Sequence, residues 1–389
     1  MNENYKVLIC DGLQKEGLEL LRETSSIEVD DRTGVSPEEL AEIIHDYHAV
    51  IVRSRTKLPE HVLAKAPKLK VAARAGSGVD NIDIKAATRR GVLVMNTPGA
   101  NAGATAEHTI AMMLAMSRHI PTATASVRNG EWKRKDFVGT EVGNHVLGII
   151  GLGNVGRLVA ELARGLKMEV LASDPFFVKD KAGLEGIELV DLETLFARSD
   201  FITIHTPLTR DTQNLINEDT IAKMKEGVRI INCARGGIVD EQALLRALKS
   251  GKVAGAALDV YQEEPPSPDN GLLLLPNVVL TPHLGASSTQ SQANVAIMIA
   301  RQVLDFLLFG KIRNAVNLPG QALKDIEKIQ PYLVLAEQLG KFMVQLHRDE
   351  IQTVRIEYFG ELAAYDVTLL SNSVLNGILK PGFMEDEVI

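Results

Sequence analysis

Two cysteines, one tryptophan and an aromatic content of only 4% mark this 389-residue chain first by what it has little of. Cys10 and Cys233 are too few for a disulfide framework and lack metal-ligand spacing, which excludes a stapled secreted scaffold and a zinc module. There is no basic excess. Lys and Arg number 42 against 50 Asp and Glu, and the formal net charge of −8 argues against a general nucleic-acid surface. The longest apolar runs are strand-length or carry charges, so none is expected to cross a membrane. Met1 to Lys6 is polar and leads straight into a strand, and no signal peptide is visible. A reducing cytoplasm is the expected setting.

What is present is an ordinary globular composition, 45% apolar and 24% charged, over a length that predicts two or three domains. Its sharpest motif is GLGNVG, Gly151 to Gly156. A lone GxGxxG is weak evidence, but this one has context. Val146–Ile150 reads as a buried strand running into the first glycine, and a helical pattern follows from Gly153. A second apolar strand, Glu169–Ser173, then ends at Asp174. Gly151 permits the tight turn, Gly153 lets the backbone approach a pyrophosphate, and Gly156 lets helix and strand pack closely. Asp174 would accept hydrogen bonds from the adenosine ribose and repel a 2′-phosphate, and no arginine follows it. The cofactor expected is NAD rather than NADP.

Strand-like runs alternate with amphipathic helical runs along most of the chain, which predicts parallel α/β architecture. Strands are expected at Lys6–Cys10, Ala49–Arg53, Leu69–Ala73 and Val92–Asn96, with helices at Gln14–Glu23 and Pro37–Asp46, the latter capped by Ser36. A long Ala- and Met-rich helix is expected from Thr105 to His119. Further strands are expected at 146–150, 169–173, 201–205, 228–233, 253–258 and 278–281, followed by a helix from Ser288 to Phe309. The fold class is therefore α/β with two doubly wound parallel-sheet domains. A Rossmann nucleotide domain (99–284) would be inserted in a discontinuous flavodoxin-like substrate domain (1–98 and 285–317), with the active site in the cleft between. Residues 318–389 read as a partial third α/β domain: helix Ala322–His347, strand Thr353–Tyr358 and helix Tyr365–Leu379. One strand cannot form a sheet alone, so this piece needs a partner element or the rest of a domain. No internal repeat or low-complexity tract is evident.

Three residues carry the candidate chemistry. His283 follows the last strand of the nucleotide domain, where open α/β sheets bind ligands. A histidine there can take a proton from an alcohol as hydride leaves, or return one to a carbonyl as hydride arrives. A loop histidine held by local hydrogen bonds is the plainer reading. Glu264 also follows a strand end; a carboxylate bonded to imidazole stabilises its charged form and fixes its orientation. Sequence alone cannot bring it to His283, and a solvated acidic loop is the alternative. Arg235, before two glycines, offers a planar, permanently charged fork suited to a 2-oxo or 2-hydroxy carboxylate.

In the contexts ARGGIVDE, EEPP and PHLGASS, these three residues resemble the Arg–Glu–His set of the D-isomer-specific 2-hydroxyacid dehydrogenases, and the similarity spans roughly residues 5 to 318. The resemblance implies hydride exchange between nicotinamide C4 and substrate C2. His283 would be the acid/base, Glu264 its partner, and Arg235 the carboxylate and carbonyl anchor. It also places Ser77, Asn154, Val155, Asp174, Thr206, Cys233, Ala234, Arg235, Asp259, His283, Gly285 and Ala286 around NAD, beside the three fingerprint glycines.

Within the family, RSRTK from Arg53, RAGSGVDNID from Arg74 and NTPGANAGATAEH from Asn96 are similar to a branch acting on a small phosphorylated hydroxy acid. The analogy puts Arg53, Arg74, Ser77, Gly78 and Asn96 near the substrate. A dianionic phosphate needs several cationic donors, and this acidic chain has arginines at two strand ends. In the family, the loop holding Trp132-Lys133-Arg134-Lys135 reaches a neighbouring subunit's cleft. Arg134 would then bind phosphate across a homodimer or within a homotetramer; a solvated charge cluster stays open as the alternative. IQPYLVLAEQLGKFMVQL, TVRIEYFGELA and VLNGIL resemble the beginning of an intervening domain found in long members. More of that domain and a regulatory ACT domain follow there, so this chain reads as C-terminally shortened, and feedback through an ACT domain is not expected. The competing readings are a glyoxylate or hydroxypyruvate reductase, which needs no phosphate site, and a non-catalytic NAD-sensing scaffold resembling the C-terminal-binding-protein corepressors. Formate dehydrogenases are disfavoured, since they carry Gln as the histidine's partner.

Overall fold

The computed structural model describes residues 4–176, 185–318, 326–346, 351 and 353–379. The chain divides into two compact units, one of residues 1–100 with 292–389 and the other of 101–291.

The first unit holds β1 (Tyr5–Ile9), β2 (Ile27–Asp31), β3 (Ala49–Val52), β4 (Val71–Arg74) and β5 (Leu93–Met95), all parallel, in the order β2-β1-β3-β4-β5. Runs such as AVIV in β3 are buried throughout, as a parallel sheet covered on both faces requires. One face packs Leu40, Ile44, Val62 and Leu63. The other packs Leu21 with Val295, Ile299, Val303 and Leu307. Those last four lie at i+4 spacing on the helix Thr289–Phe309, one stripe of its surface. By length and composition this 21-residue helix could span a bilayer, although, as the sequence expectation has it, the run carries charges, Arg301 and Asp305. Its apolar stripe is spent on the sheet instead. Gly17 makes that contact possible, because a Cβ there would strike the backbone of Ala296. At the sheet edge, Ala315 bridges Met95 antiparallel, Val316 donates to the Val94 carbonyl at 2.8 Å, and the Val94 N–H reaches Asn317 Oδ1 at 2.9 Å.

The second unit holds β6 (Val146–Ile150), β7 (Glu169–Ser173), β8 (Ile187–Leu189), β9 (Phe201–Ile204), β10 (Val228–Asn232), β11 (Val253–Leu258) and β12 (Val278–Leu280). The order is β12-β11-β10-β9-β6-β7-β8, all parallel, and it reverses direction between β6 and β9. That reversal opens a crevice at the strand C-termini where doubly wound sheets take ligands. The expected helix at Thr105–His119 runs from Ala102 to Ser117. His119 then adopts a left-handed backbone, φ 53°, and a second helix begins at Ile120, its first turn containing Pro121.

The C-terminal segment differs from the sequence expectation. Its first helix is split into Ile326–Ile329 and Leu333–Leu346 by a 3-10 turn at Gln330–Tyr332. Pro331, inside that turn, has no N–H to continue an α ladder. The rest of Ala322–His347 lies outside the described residues. The expected strand Thr353–Tyr358 does not form; among the described residues it has no partner strand, and an isolated strand has nothing to hold it. The described part of this segment is thus helical rather than α/β. Its last helix, Thr368–Leu379, crosses Leu333–Leu346 at two facing glycines, Gly340 and Gly377, where a Cβ on either would land on the other helix's carbonyls.

Candidate active site

Each fingerprint glycine has its own steric reason. Gly151 has φ 95°, and a Cβ there would sit 2.7 Å from the His205 carbonyl oxygen, across the β6/β9 reversal. A Cβ on Gly156 would land on the Gly151 carbonyl. Gly153 is the opposite case: among the described residues, nothing beyond its own chain neighbours lies within 4 Å of its hypothetical Cβ. It opens the helix Asn154–Gly165, so the open side faces a helix N-terminus where an anion is favoured. Asp174 stands beside this turn, with Oδ2 accepting the Leu152 N–H at 2.8 Å and Oδ1 the Phe176 N–H at 2.9 Å. Each oxygen keeps a lone pair for ribose hydroxyls. Thr206, next after His205, has a buried hydroxyl with no hydrogen-bond partner among the described residues. These residues fit the adenosine and pyrophosphate of NAD.

Cys233 is buried in the same unit, and its thiol is pushed up to about 12 by burial, reinforced by the charge of Asp259. Such a thiol packs rather than reacts. Burial likewise drives His205 from 6.5 down to about 3, and its Nε2 lies 3.0 Å from Thr203 Oγ1.

The candidate chemistry gathers on three neighbouring strand ends, β10, β11 and β12. His283 Nδ1 lies 2.8 Å from Glu264 Oε2, across 19 residues of sequence. With Nδ1 so held, Nε2 is the ring nitrogen left to exchange protons. His283 itself is left-handed, φ 55°, and its N–H donates to the Asp259 carbonyl at 2.9 Å. The other oxygen of Glu264 accepts the Tyr261 N–H at 3.1 Å. Burial would raise the Glu264 pKa, but the hydrogen bond and charge of His283 and the Tyr261 N–H outweigh it and hold the carboxyl below its usual range.

Arg235 lies in the turn after β10, before the helix that starts at Glu241. The Asn232 side chain shapes this turn, accepting from Ala234 N at 3.0 Å and donating to the Arg235 carbonyl at 2.9 Å. Arg235 Nη1 donates to the Ala234 carbonyl at 2.7 Å. Gly236 touches the next loop so closely that a Cβ would land on the Tyr261 carbonyl. The arginine turn is therefore pressed against the segment that carries Glu264.

Asp259 is tied to the cofactor by family resemblance alone. Its carboxylate, fully buried, grips its own loop. Oδ1 accepts from Thr281 Oγ1 at 2.6 Å and Leu284 N at 2.7 Å, and Oδ2 from Gly285 N at 2.8 Å, with Ala286 following. Oδ1 also lies 3.2 Å from His108 Nε2. Burial pushes this carboxyl up, yet the donors from His108, Thr281, Leu284 and Gly285 bring it below the usual range.

In the first unit, Arg74 ends β4, and Arg53, Ser77, Gly78 and Asn96 follow the C-terminal ends of the adjoining strands β3, β4 and β5. Asp11, just after β1, was not singled out from sequence. It is buried at the β1/β3 reversal and accepts the Arg53 N–H at 2.6 Å, Thr56 N at 3.1 Å and Thr56 Oγ1 at 2.8 Å. Asn81 Nδ2 holds the Arg53 carbonyl from the other side at 2.7 Å. The Arg74 guanidinium lies over Gly76, where a Cβ would collide with it. Asn96 Nδ2 donates to the Ser77 carbonyl at 2.6 Å, so the amide clamps the loop rather than standing apart from it. Arg134 lies in the second unit, exposed in a 3-10 turn, Arg134–Phe137, near Trp132, which is 79% exposed.

A carboxylate-held histidine two strands from an arginine turn, in a sheet that also bears a dinucleotide turn, is what hydride exchange with a 2-hydroxy acid demands. The class is that of the NAD-dependent D-2-hydroxyacid dehydrogenases. Comparison with known proteins narrows it. Residues 110–285 match the D-isomer specific 2-hydroxyacid dehydrogenase NAD binding domain, and residues 328–388 match the D-3-phosphoglycerate dehydrogenase intervening domain. The D-3-phosphoglycerate dehydrogenase of Archaeoglobus fulgidus is 47% identical over 97% of the chain and 71% of its own length, and that of Bacillus subtilis 44% over 97% and 71%. The Synechocystis enzyme of the same name is 46% identical over 92% of the chain, which spans 64% of it. Among solved structures, D-lactate dehydrogenase from Aquifex aeolicus, complexed with NAD and lactic acid, aligns with a TM-score of 0.69 at 28% identity, covering 81% of this chain and 100% of that one. D-2-hydroxyisocaproate dehydrogenase gives 0.71 at 27%, covering 80% and 100%. The chain belongs to the D-3-phosphoglycerate dehydrogenase family.

Proposed function

We propose that this chain oxidises D-3-phosphoglycerate to 3-phosphohydroxypyruvate with NAD, the first step of phosphorylated L-serine biosynthesis, in the cytoplasm. The observation that carries the chemistry is the 2.8 Å contact between His283 Nδ1 and Glu264 beside the Arg235 turn. Bound NAD supplies the hydride acceptor. His283 Nε2 takes the C2 hydroxyl proton as the C2 hydrogen leaves with its electron pair, and Glu264 stabilises the imidazolium that results. Arg235 binds the substrate carboxylate and polarises the oxygen on C2. Arg53 and Arg74 hold the phosphorylated end, with Ser77, Gly78 and Asn96 shaping that loop. Arg134 adds a further cation from the neighbouring subunit of a homodimer or homotetramer. On this reading the unit rich in strand-end arginines (1–98 with 285–317) binds substrate and residues 99–284 bind NAD, while 318–389 begin an intervening domain. The names of the relatives favour this substrate over a glyoxylate or hydroxypyruvate reductase and over a non-catalytic scaffold.

The test is NADH oxidation by the purified chain with 3-phosphohydroxypyruvate, hydroxypyruvate, glyoxylate and 2-oxoglutarate. Strong preference for the phosphorylated acid is expected; equal kcat/KM for hydroxypyruvate would sink the phosphate assignment. His283→Asn should lower kcat far more than it weakens NAD binding. In the oxidative direction the neutral imidazole is the form that accepts the proton.

A further inference from the structure

We propose that His108 is a positioning residue for the catalytic loop, fastening Asp259 and Thr281 so that His283 is held in its left-handed backbone. The inference rests on the reading of His283 as the acid/base. His108 lies on the helix Ala102–Ser117, and its Nε2 is 3.2 Å from both Asp259 Oδ1 and Thr281 Oγ1. A carboxylate taken wholly out of water needs its lone pairs filled by strong donors. Three of the four donors on Asp259 come from Thr281, Leu284 and Gly285, the loop that carries His283. Among the described residues, the fourth, His108, is the only one from outside that loop. Without it the clamp is a loop bonded to the carboxylate at the end of β11, with no hydrogen bond from that carboxylate to the helix behind.

The same helix face makes two more contacts with the loop. Met112 Sδ, one turn on, lies 3.6 Å from Thr281 Oγ1. Thr105, one turn back, packs within van der Waals distance of the position a Cβ would take on Gly285. Residues 105, 108 and 112 share one face at i, i+3 and i+7 spacing. The clamp is also electrically joined to the acid/base pair, since the charge of Asp259 acts on Glu264, and on Tyr261 and Cys233 as well. A φ of 55° at a residue with a side chain is sparsely populated unless its surroundings over-determine it. His108 supplies that restraint at one remove, through Asp259 and Thr281.

The experiment measures kcat, KM for 3-phosphohydroxypyruvate and NADH affinity for His108→Ala, His108→Gln, Thr281→Val and His283→Asn in the full chain. For His108→Ala, kcat should fall about 10- to 100-fold, as for a misplaced catalytic group, with KM and NADH affinity within about three-fold of wild type. Glutamine, whose amide can donate to the same acceptors, should recover most of the loss, and Thr281→Val should repeat it. A kcat for His108→Ala within two-fold of wild type, beside an inactive His283→Asn, overturns the proposal. Equal losses in the Ala and Gln variants also overturn it, since they indicate packing alone. Should His108→Ala not fold, the Gln and Thr281→Val variants decide: full activity in Thr281→Val then refutes the clamp. Retained turnover in His283→Asn would instead remove the acid/base reading and the clamp with it.

Discussion

His205 offers a quantitative test of how the dinucleotide crevice is built. Its N–H donates to Ile150 at 2.8 Å, its carbonyl lies against Gly151, and its ring is desolvated beside Thr203. An ordinary histidine takes up a proton near 6.5, whereas this one resists until about 3. The unfolded chain therefore binds a proton below 6.5 that the native state refuses. Stability from this residue is fully present above 6.5 and is lost as pH falls toward 3. At pH 4.5, two pH units below the ordinary value, the loss amounts to about 3 kcal/mol. His205→Asn keeps a polar partner for Thr203 and removes the titration. Urea denaturation of both proteins at pH 6.5, 5.5 and 4.5 isolates the contribution, because carboxylates such as Asp259 and Glu264 titrate alike in each and cancel in the difference. Far-UV circular dichroism is the appropriate probe, since the single tryptophan, Trp132, is 79% exposed and reports little of the core. The stability gap should shift in the variant's favour by about 2 kcal/mol across that range, since the unfolded histidine is already half protonated at pH 6.5. A gap that does not change with pH would refute the desolvation argument.

Two substitutions probe the proposed substrate contacts. Arg53→Ala should leave the fold intact, because Asp11 and Asn81 hold the backbone of residue 53 rather than its side chain. Its KM for the phosphorylated acid should rise about 10- to 150-fold, the equivalent of about 1.5–3 kcal/mol, and an unchanged KM removes Arg53 from the site. Gly236→Ala forces a methyl onto the Tyr261 carbonyl, so the Arg235 turn and the segment leading to Glu264 must separate. A loss of about 100-fold or more in kcat/KM is expected with NADH binding retained, and near-normal steady-state rates would show that the contact is dispensable.

The buried strands were legible because a parallel sheet writes itself as apolar runs such as VLGII and AVIV. The strands that escaped notice each lie at one edge of a sheet. In β2, IEVDD is half exposed and mostly charged, and in β8 only three residues pair. Neither needs to be apolar, so neither carries the signal. The reverse error, a strand at Thr353–Tyr358, came from a suitable pattern with nothing beside it to pair with. The glycine fingerprint could be read residue by residue because each constraint is local. Asp11, Asn81 and His108 could not, because their meaning lies in partners 25 to 173 residues away. What sequence supplied for the Arg–Glu–His set was the residue types and the strand ends; the contact between Glu264 and His283 is a property of adjoining β11 and β12.

The helix Thr289–Phe309 and the stretch Ala315–Asn317 complete a sheet whose strands all precede residue 96. Made from its N-terminus, the chain has all five of those strands nearly two hundred residues before the stripe from Val295 to Leu307 exists to cover their second face. β5 meanwhile waits for Asn317 to bond to Val94. The 101–291 unit emerges entire in that interval and can finish folding first. The order of completion thus inverts the order of synthesis. During translation the half-covered sheet is the vulnerable surface, and a nascent chain halted before about residue 300 should be the species that chaperones retain.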